Sequence, residues 1–161
     1  MHEVGTDETG EGEWAGHGVL GGLGQSQDQE GDEGDGDLSA TERYLAPDFL
    51  NHVSGKRGIG DMQRIIQYVR VAFPDGRQEV DQEIAEGDLV AQLITSTGTH
   101  TGDILHMPWG PIAPTGNHVS WQSVRIYRIV DGKIAEHWAV RDDIRMLQQL
   151  GAFPEGRPPD K

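Results

Sequence analysis

The sequence contains no cysteine among its 161 residues. Disulfides, thiolate metal sites and a cysteine nucleophile are therefore excluded. Aromatic residues make up only 6% of the chain, and no apolar run approaches the roughly 18 residues that a membrane-spanning helix needs. The N-terminus also lacks the basic and then apolar pattern of a secretion signal. These absences predict a cytoplasmic protein with no membrane partner.

Basic residues are scarce as well. The formal net charge is −14, and no Lys or Arg precedes Arg43. Because nucleic-acid binding needs clustered cations, the composition argues against a nucleic-acid partner. Residues 1–37 carry eleven acidic side chains and eleven of the 23 glycines, so we expect an atypical or disordered segment there. Residues 38–152 are expected to form one folded domain, and residues 153–161 a flexible tail.

Regular patterns begin at Leu38. Apolar residues at helical spacing predict a short helix that stops at Pro47, a longer helix over residues 60–73, and a terminal helix or single turn that stops at Gly151. Strand-like patterns, the second of which breaks at Gly98, cover residues 78–88, 88–100, 118–130 and 133–140. Asp131-Gly132 predicts a tight hairpin between the last two. Helices segregated from antiparallel strands predict an α+β fold, a cone with one open mouth.

The order of several short motifs resembles that of SnoaL-like polyketide cyclases. The resemblance spans roughly residues 37–152, in the motifs PDFLNH, AFPD, EGDLVAQLITSTGTHTG, PTG, RIVDGKIAEHW and MLQQLG. It implies the nuclear transport factor 2-like (cystatin-like) fold, in which N-terminal helices pack on a curved antiparallel sheet. It also implies a homodimer and cofactor-independent, cyclase-like acid-base catalysis of aldol type. The implied substrate is a small hydrophobic carbonyl or polyketide-like molecule.

Two positions depart from the family's chemistry, and one segment departs from its fold. The family's general base is an Asp directly after the residue matching Trp138, where this chain has Ala139. The family's pocket His is replaced by Arg125. Ring closure by aldol chemistry needs a base for a carbon-bound proton and a donor for the enolate, so the usual mechanism does not carry over unchanged. Because residues 1–37 are rich in glycine and acidic side chains, we do not expect them to form the long first helix that is usual in the family.

Three residues are candidates for the missing acid-base group: Asp142, His137 and His52. Asp142 would reach the cone mouth if the last strand ended near Val140, and its alternative role is the charged start of the final helix. Strand alternation puts His137 on the face of Ala139, and the resemblance directs that face to the pocket. His52 is suited to shuttle a proton near neutral pH, with an ordinary exposed loop histidine as the equal alternative.

Seven residues are candidates for contacting the substrate. Asn51 matches a pocket residue of related cyclases, or else is a turn residue bonded to its own backbone. Trp138 lies on the opposite strand face, where packing under a helix or a dimer partner is the alternative. Trp109 belongs to a lid-like loop whose prolines otherwise provide rigidity. The remaining four are His100, Trp121, Arg125 and Tyr127. His100 alternatively caps a loop, and Trp121 and Tyr127 alternatively pack in the core.

The histidines do not follow any metal-binding spacing. HxxxH, HxH and HExxH are all missing from the sequence, so we predict no metal site and no cofactor. The rival to an enzyme is a non-catalytic small-molecule-binding or dimerisation module with the same cone fold. An epoxide hydrolase or an isomerase is a further alternative, although each needs its own pocket carboxylates. A buried titratable group with a displaced pKa would favour an enzyme.

Overall fold

The structure is a computed structural model that describes residues 38–102 and 110–153, and the backbone of Leu105–Met107. The predicted atypical segment, most of the predicted tail and Trp109 lie outside the described residues. Chain order gives α1 (Ser39–Tyr44), β1 (Leu45–Asn51), β2 (Lys56–Arg57), α2 (Ile59–Ala72), β3 (Arg77–Glu86), β4 (Leu89–Thr99), β5 (Leu105–Met107), β6 (Gly110–Ile112), β7 (His118–Val130), β8 (Lys133–Arg141) and α3 (Asp143–Leu150).

Six of the strands form one open curved sheet in the order β2-β1-β8-β7-β4-β3, and β5 pairs with β6 separately. The predicted α+β fold is confirmed. The sheet is mixed, however, because β1 runs parallel to β8, and β1 was not among the predicted strands. Exposed Pro47 lies where the β1–β8 register shifts, between Leu45 and Leu50. Proline lacks the ladder donor and is tolerated at such irregularities, which explains why this strand escaped prediction.

The β7–β8 hairpin forms at the predicted place. Asp131 and Gly132 have φ values of 49° and 73°, as the tight hairpin turn requires. The predicted break at Gly98 is wrong, because β4 continues to Thr99 and Gly98 pairs with Val119. A Cβ on Gly98 would come within 3.0 Å of Phe73 Cβ. Gly98 therefore allows Phe73 to approach the sheet closely.

The two longer helices match their predicted segments. Helix α3 ends at Gly151, whose φ of 69° closes it in the left-handed conformation. The helices cover two apolar clusters on the inner face of the sheet. One cluster contains Ala72, Phe73, Val119, Trp121, Met146 and Leu150, and the other contains Leu45, Phe49, Val90, Tyr127 and Ile134. None of the helices in the described ranges has both the length and the apolar character needed to cross a membrane.

Candidate functional site

The inner face of the sheet is polar between the two apolar clusters. Cross-strand partners share a face, and Tyr127 pairs with Val90 on one side and His137 on the other. In the next inward-facing row, Arg125 pairs with Gln92 and Ala139. His137 and Arg125 therefore occupy adjacent rows of the same face. Other polar side chains that are buried on this face are Gln92, Ser96 and Ser123.

His137 is enclosed by aromatic rings. Its side chain is buried, and its ring centroid lies 5.3 Å from that of Tyr127 and 6.4 Å from that of Phe49. Burial, with the charges of Arg125 and His52 as smaller causes, lowers the pKa of His137 from 6.5 to about 4. The imidazole is therefore neutral at neutral pH and available to accept a proton.

A register shift in the β7–β8 hairpin sets which residues of β8 face inward. The shift falls between Arg128 and Ile129, and as a result Ile134 and His137 are both buried. Uninterrupted alternation along β8 would put Ile134 and His137 on opposite faces, and the shift is what allows both to be buried. Beyond the shift the predicted alternation is confirmed, because His137 pairs with Tyr127 and Ala139 with Arg125.

Asn51, at the end of β1, joins His137 to the loop that follows. Its Oδ1 lies 3.3 Å from His137 Nδ1 and accepts a hydrogen bond from Val53 N–H at 3.1 Å. Its Nδ2 donates to Asp61 Oδ2 at 3.2 Å. Asn51 is 1% exposed, and its hydrogen bond with Val53 N–H gives the turn geometry that was one of the two alternatives for this residue.

Asp61 lies near the start of α2, and its carboxylate is buried beside Asn51. It accepts a hydrogen bond from Ser54 Oγ at 2.5 Å and lies 2.9 Å from Arg64 Nη2. Burial acts to raise the pKa of Asp61, but the hydrogen bonds from Ser54, Lys56 and Asn51 outweigh it and hold the pKa below its usual value. No local sequence pattern indicates this role, since Asn51 is ten residues away.

Arg125 and Tyr127 follow one another on the inner face of β7. Tyr127 is buried, and burial raises the pKa of its phenol, while the nearby Arg125 guanidinium partly opposes that rise. Gln92, opposite Arg125, donates through Nε2 to Glu83 Oε2 at 2.5 Å. The row across the sheet therefore runs from Glu83 through Gln92 and Arg125 to Ala139.

Several buried polar atoms have no hydrogen-bond partner within the part of the chain that the structure describes. They include Gln92 Oε1, Ser96 Oγ, Ser123 Oγ and His100 Nε2. An unpaired buried polar atom costs about 1–3 kcal/mol, so such groups need a particular explanation. Sequence patterns did not single out Gln92, Ser96 or Ser123, because a polar residue in a strand ordinarily faces solvent.

Asp142 does not reach the inner face. Strand β8 continues to Arg141, and exposed Asp142 is the N-cap of α3, where its Oδ1 accepts a hydrogen bond from Arg145 N–H at 3.0 Å. This arrangement corresponds to the alternative that Asp142 begins the final helix. Its position is explained by helix capping.

His52 and Trp138 lie on the outer face, opposite to the face that carries the His137 side chain. Their rings stack with centroids 4.2 Å apart and 9° between planes. His52 Nε2 lies 2.6 Å from Glu136 Oε2, and Arg128 Nε lies 2.9 Å from Glu136 Oε1. The hydrogen bond from His52 is the main cause that lowers the pKa of Glu136. We call these four residues the outer-face cluster.

His100 and Trp121 lie at the other end of the inner face. Both rings are buried, and each has its centroid 5.3 Å from that of Phe73. Trp121 is six residues from Tyr127 along β7, or about 20 Å. The structure therefore does not bring them together with His137. Within residues 38–102 and 110–153, no three His, Asp or Glu side chains form a group that could hold a metal ion.

Comparisons with known proteins agree on one family. The model for SnoaL-like polyketide cyclases matches residues 33–150. Nogalonic acid methyl ester cyclase of Streptomyces nogalater is 31% identical over 115 residues, which cover 68% of this chain and 82% of that protein. Aklanonic acid methyl ester cyclase DnrD of Streptomyces peucetius is 31% identical over 120 residues, covering 72% and 79%.

A solved structure resembles the chain in both fold and sequence. AclR, a proposed hydroxylase from Streptomyces galilaeus, superimposes with a TM-score of 0.63 and 37% sequence identity, over 75% of this chain and 74% of that one. The match supports the α+β architecture described above.

Proposed function

The chain belongs to the SnoaL-like polyketide cyclase family, and from that membership we propose that it closes a ring in a polyketide-like ketone by cofactor-independent aldol chemistry. The names of the two relatives point to an acid methyl ester as the substrate. The observation that carries the proposal is the buried, neutral His137 beside Arg125 on the inner face. A binding module has no need of such a group, whereas an enzyme does.

His137 would act as the general base through Nε2. It removes a proton from a carbon next to a carbonyl, while the Arg125 guanidinium stabilises the enolate oxygen. The enolate carbon then attacks a second carbonyl of the same molecule and forms the new carbon–carbon bond. The resulting alkoxide takes the proton back from His137, so substrate and product are isomers and no co-reactant is consumed.

The test is turnover of the two candidate substrates. Purified protein is incubated with nogalonic or aklanonic acid methyl ester, the products are separated by chromatography, and their molecular masses are measured by mass spectrometry. We expect a product of unchanged mass that accumulates faster than in the protein-free control. No product from either ester, together with tight binding of both, would favour the non-catalytic module instead.

The match to AclR raises hydroxylation as a second candidate. The specific observation in its favour is Ala139, which replaces the carboxylate that the resemblance assigns as the cyclase base. The same mass measurement separates the two reactions, because hydroxylation adds one oxygen atom while ring closure adds none. Hydroxylation also requires an oxidant, so its product would not form in the absence of oxygen or another electron acceptor.

The outer face of the sheet supports assembly into a homodimer. Paired rows place Ile84, Ala91 and Ile126 side by side, and next to them Val124 and Val140. Val140 is 76% exposed and Ile84 is 69% exposed. A contiguous exposed apolar surface of this kind is typical of protein–protein contacts. We therefore propose that a second copy covers this outer apolar surface.

A further inference from the structure

We propose that Asp61 is a positioning residue that fixes the reactive tautomer of His137 through Asn51. The three side chains form a chain of contacts from α2 through β1 to β8. All three are buried, with exposed fractions of 7% for Asp61, 1% for Asn51 and 8% for His137. The catalytic consequence rests on the proposed function, whereas the tautomer can be tested without any substrate.

The orientation of the Asn51 amide follows from its other two partners. The Val53 N–H can only donate, so the atom that it contacts at 3.1 Å must be the Asn51 oxygen. An ionised Asp61 carboxylate can only accept, so the atom 3.2 Å from it must be the Asn51 nitrogen. The two contacts therefore agree on one orientation of the amide.

That orientation determines which nitrogen of His137 carries the proton. Asn51 Oδ1 is an acceptor and lies 3.3 Å from His137 Nδ1, so Nδ1 must be the donor. A neutral imidazole carries only one N–H, which leaves Nε2 with its lone pair. Nε2 has no hydrogen-bond partner among the described residues. The base that ring closure requires is therefore prepared before substrate binds.

Asp61 is held as a carboxylate by its other contacts. Lys56 Nζ and Arg64 Nη2 lie 3.4 and 2.9 Å from Oδ1, while Ser54 Oγ donates to Oδ2. Asp61 also lies in the first turn of α2, where the helix dipole favours negative charge. These interactions keep the group an acceptor near neutral pH, and an acceptor is what the Asn51 orientation requires.

The decisive variant is Asp61→Asn, which keeps the size of the side chain but offers a donor as well as an acceptor. With the carboxylate gone, only the hydrogen bond from Val53 N–H still favours the original orientation of the Asn51 amide. Rotation of the amide gives up that bond and presents its NH₂ to His137 Nδ1, which would move the imidazole proton to Nε2 and remove the lone pair. We expect kcat to fall about 100-fold, within the usual range for losing a general base. KM should change little, since Asp61 does not contact the substrate.

The measurement is the imidazole ¹⁵N spectrum of the full chain at neutral pH, with His137 assigned by the signal lost in His137→Gln. We expect a protonated Nδ1 in the wild type and a shift toward protonated Nε2 in Asp61→Asn. Ser54→Ala is the matched control, because it removes one hydrogen bond from the same carboxylate and leaves the Asn51 contact in place. It should keep the wild-type tautomer and most of kcat.

Two results would overturn the proposal. One is a wild-type His137 with its proton on Nε2, which needs no variant and so remains decisive if Asp61→Asn does not fold. The other is an unchanged tautomer in folded Asp61→Asn. If the wild type shows the expected tautomer but turns over neither ester, then the proposed function has failed and the positioning role of Asp61 stands.

Discussion

At the scale of single residues, His137 is an unusual base because its pKa of about 4 makes it weak in the empty site. The low value arises mainly from burial, which disfavours the imidazolium. An enolate that forms beside the ring supplies the missing counter-charge and strengthens the base as the proton moves. Arg125, which helps to lower the pKa, would be neutralised by the same enolate. Both groups are therefore tuned to the reacting state.

The lowered pKa of His137 predicts the pH dependence of the reaction. A lowered pKa keeps the imidazole unprotonated to more acidic pH, so kcat/KM should stay constant between pH 8 and about 5.5 and then fall toward pH 4. The lowered pKa of Asp61 keeps the contact to Asn51 intact over that range. Initial rates across this interval provide the measurement. A half-maximal rate near pH 6.5 would identify an ordinary exposed histidine as the essential base.

Substitution of His137 tests its role directly. We expect His137→Gln to lower kcat by about 10²–10⁴-fold while the protein stays folded. Introducing Ala139→Asp into that variant should restore part of kcat, because residue 139 faces inward beside Arg125 and matches the base of the resembled family. His118→Gln, at an exposed strand end, is the matched control. Equal activity of His137→Gln and wild type would eliminate His137 as the base.

At the scale of secondary structure elements, the sequence predicted those helices and turns whose determining residues lie close together in the chain. Helix α3 has its apolar spacing and its terminal Gly151 within one short segment, and the β7–β8 hairpin has its Asp131-Gly132 turn. Strand β1 was not predicted, because Pro47 argues locally against a strand and the pairing of β1 with β8 joins segments that are far apart in the sequence. The predicted strand break at Gly98 was wrong because this glycine makes room for the Phe73 side chain, and that contact between distant residues is not visible in the local sequence.

The candidate site shows the same limit. The inner-face position of His137 could be predicted, because alternation along one strand relates it to Ala139 and the family resemblance directs that face inward. Asp61 could not, because its function depends on Asn51 from another element and on His137, 76 positions further along the chain. His52 follows Asn51 directly, yet it contacts Trp138 on the outer face. The sequence therefore indicates which residues are chemically suitable better than it indicates which of them are in contact in the folded protein.

Helix α3 provides a prediction that separates capping from catalysis at Asp142. Asp142→Ala removes the hydrogen bond to Arg145 N–H and should lower the free energy of unfolding by about 1 kcal/mol. Asp142→Asn retains an N-cap of similar strength and should be close to wild type. Chemical denaturation of both variants measures the effect. A large loss of kcat in Asp142→Asn would show that Asp142 does more than cap the helix and would make it a candidate acid-base residue again.

At the scale of the whole molecule, the pKa of His137 also affects stability. His137 takes up a proton near pH 6.5 in the unfolded chain, but only near pH 4 in the folded chain. The free energy of unfolding should therefore decrease as the pH falls from 6.5 to 4, by about 3 kcal/mol from this group. Urea denaturation of wild type and His137→Gln at several pH values measures it. If wild type and His137→Gln lose the same free energy of unfolding as the pH falls, then the titration of His137 does not contribute to stability.

The outer apolar surface makes the last prediction, which concerns assembly. Val140 is 76% exposed, so Val140→Glu should leave the folded monomer stable but place a carboxylate in the proposed interface. Burial of an unpaired charge costs well over the 1.4 kcal/mol that corresponds to a tenfold change in Kd. We therefore expect a wild-type dimer and a Val140→Glu monomer in sedimentation velocity experiments at micromolar concentration.

Val71→Glu is the matched control for this assembly experiment. Val71 is also a largely exposed valine, at 52%, but it lies on α2 rather than on the outer face of the sheet. The control should therefore sediment as a dimer, like the wild type. A monomeric wild type, or a Val140→Glu protein that still sediments as a dimer, would show that copies of the chain do not meet through this surface. Because His52 and Trp138 of the outer-face cluster share that face, a confirmed dimer would also explain their stacking as part of an interface rather than of the catalytic site.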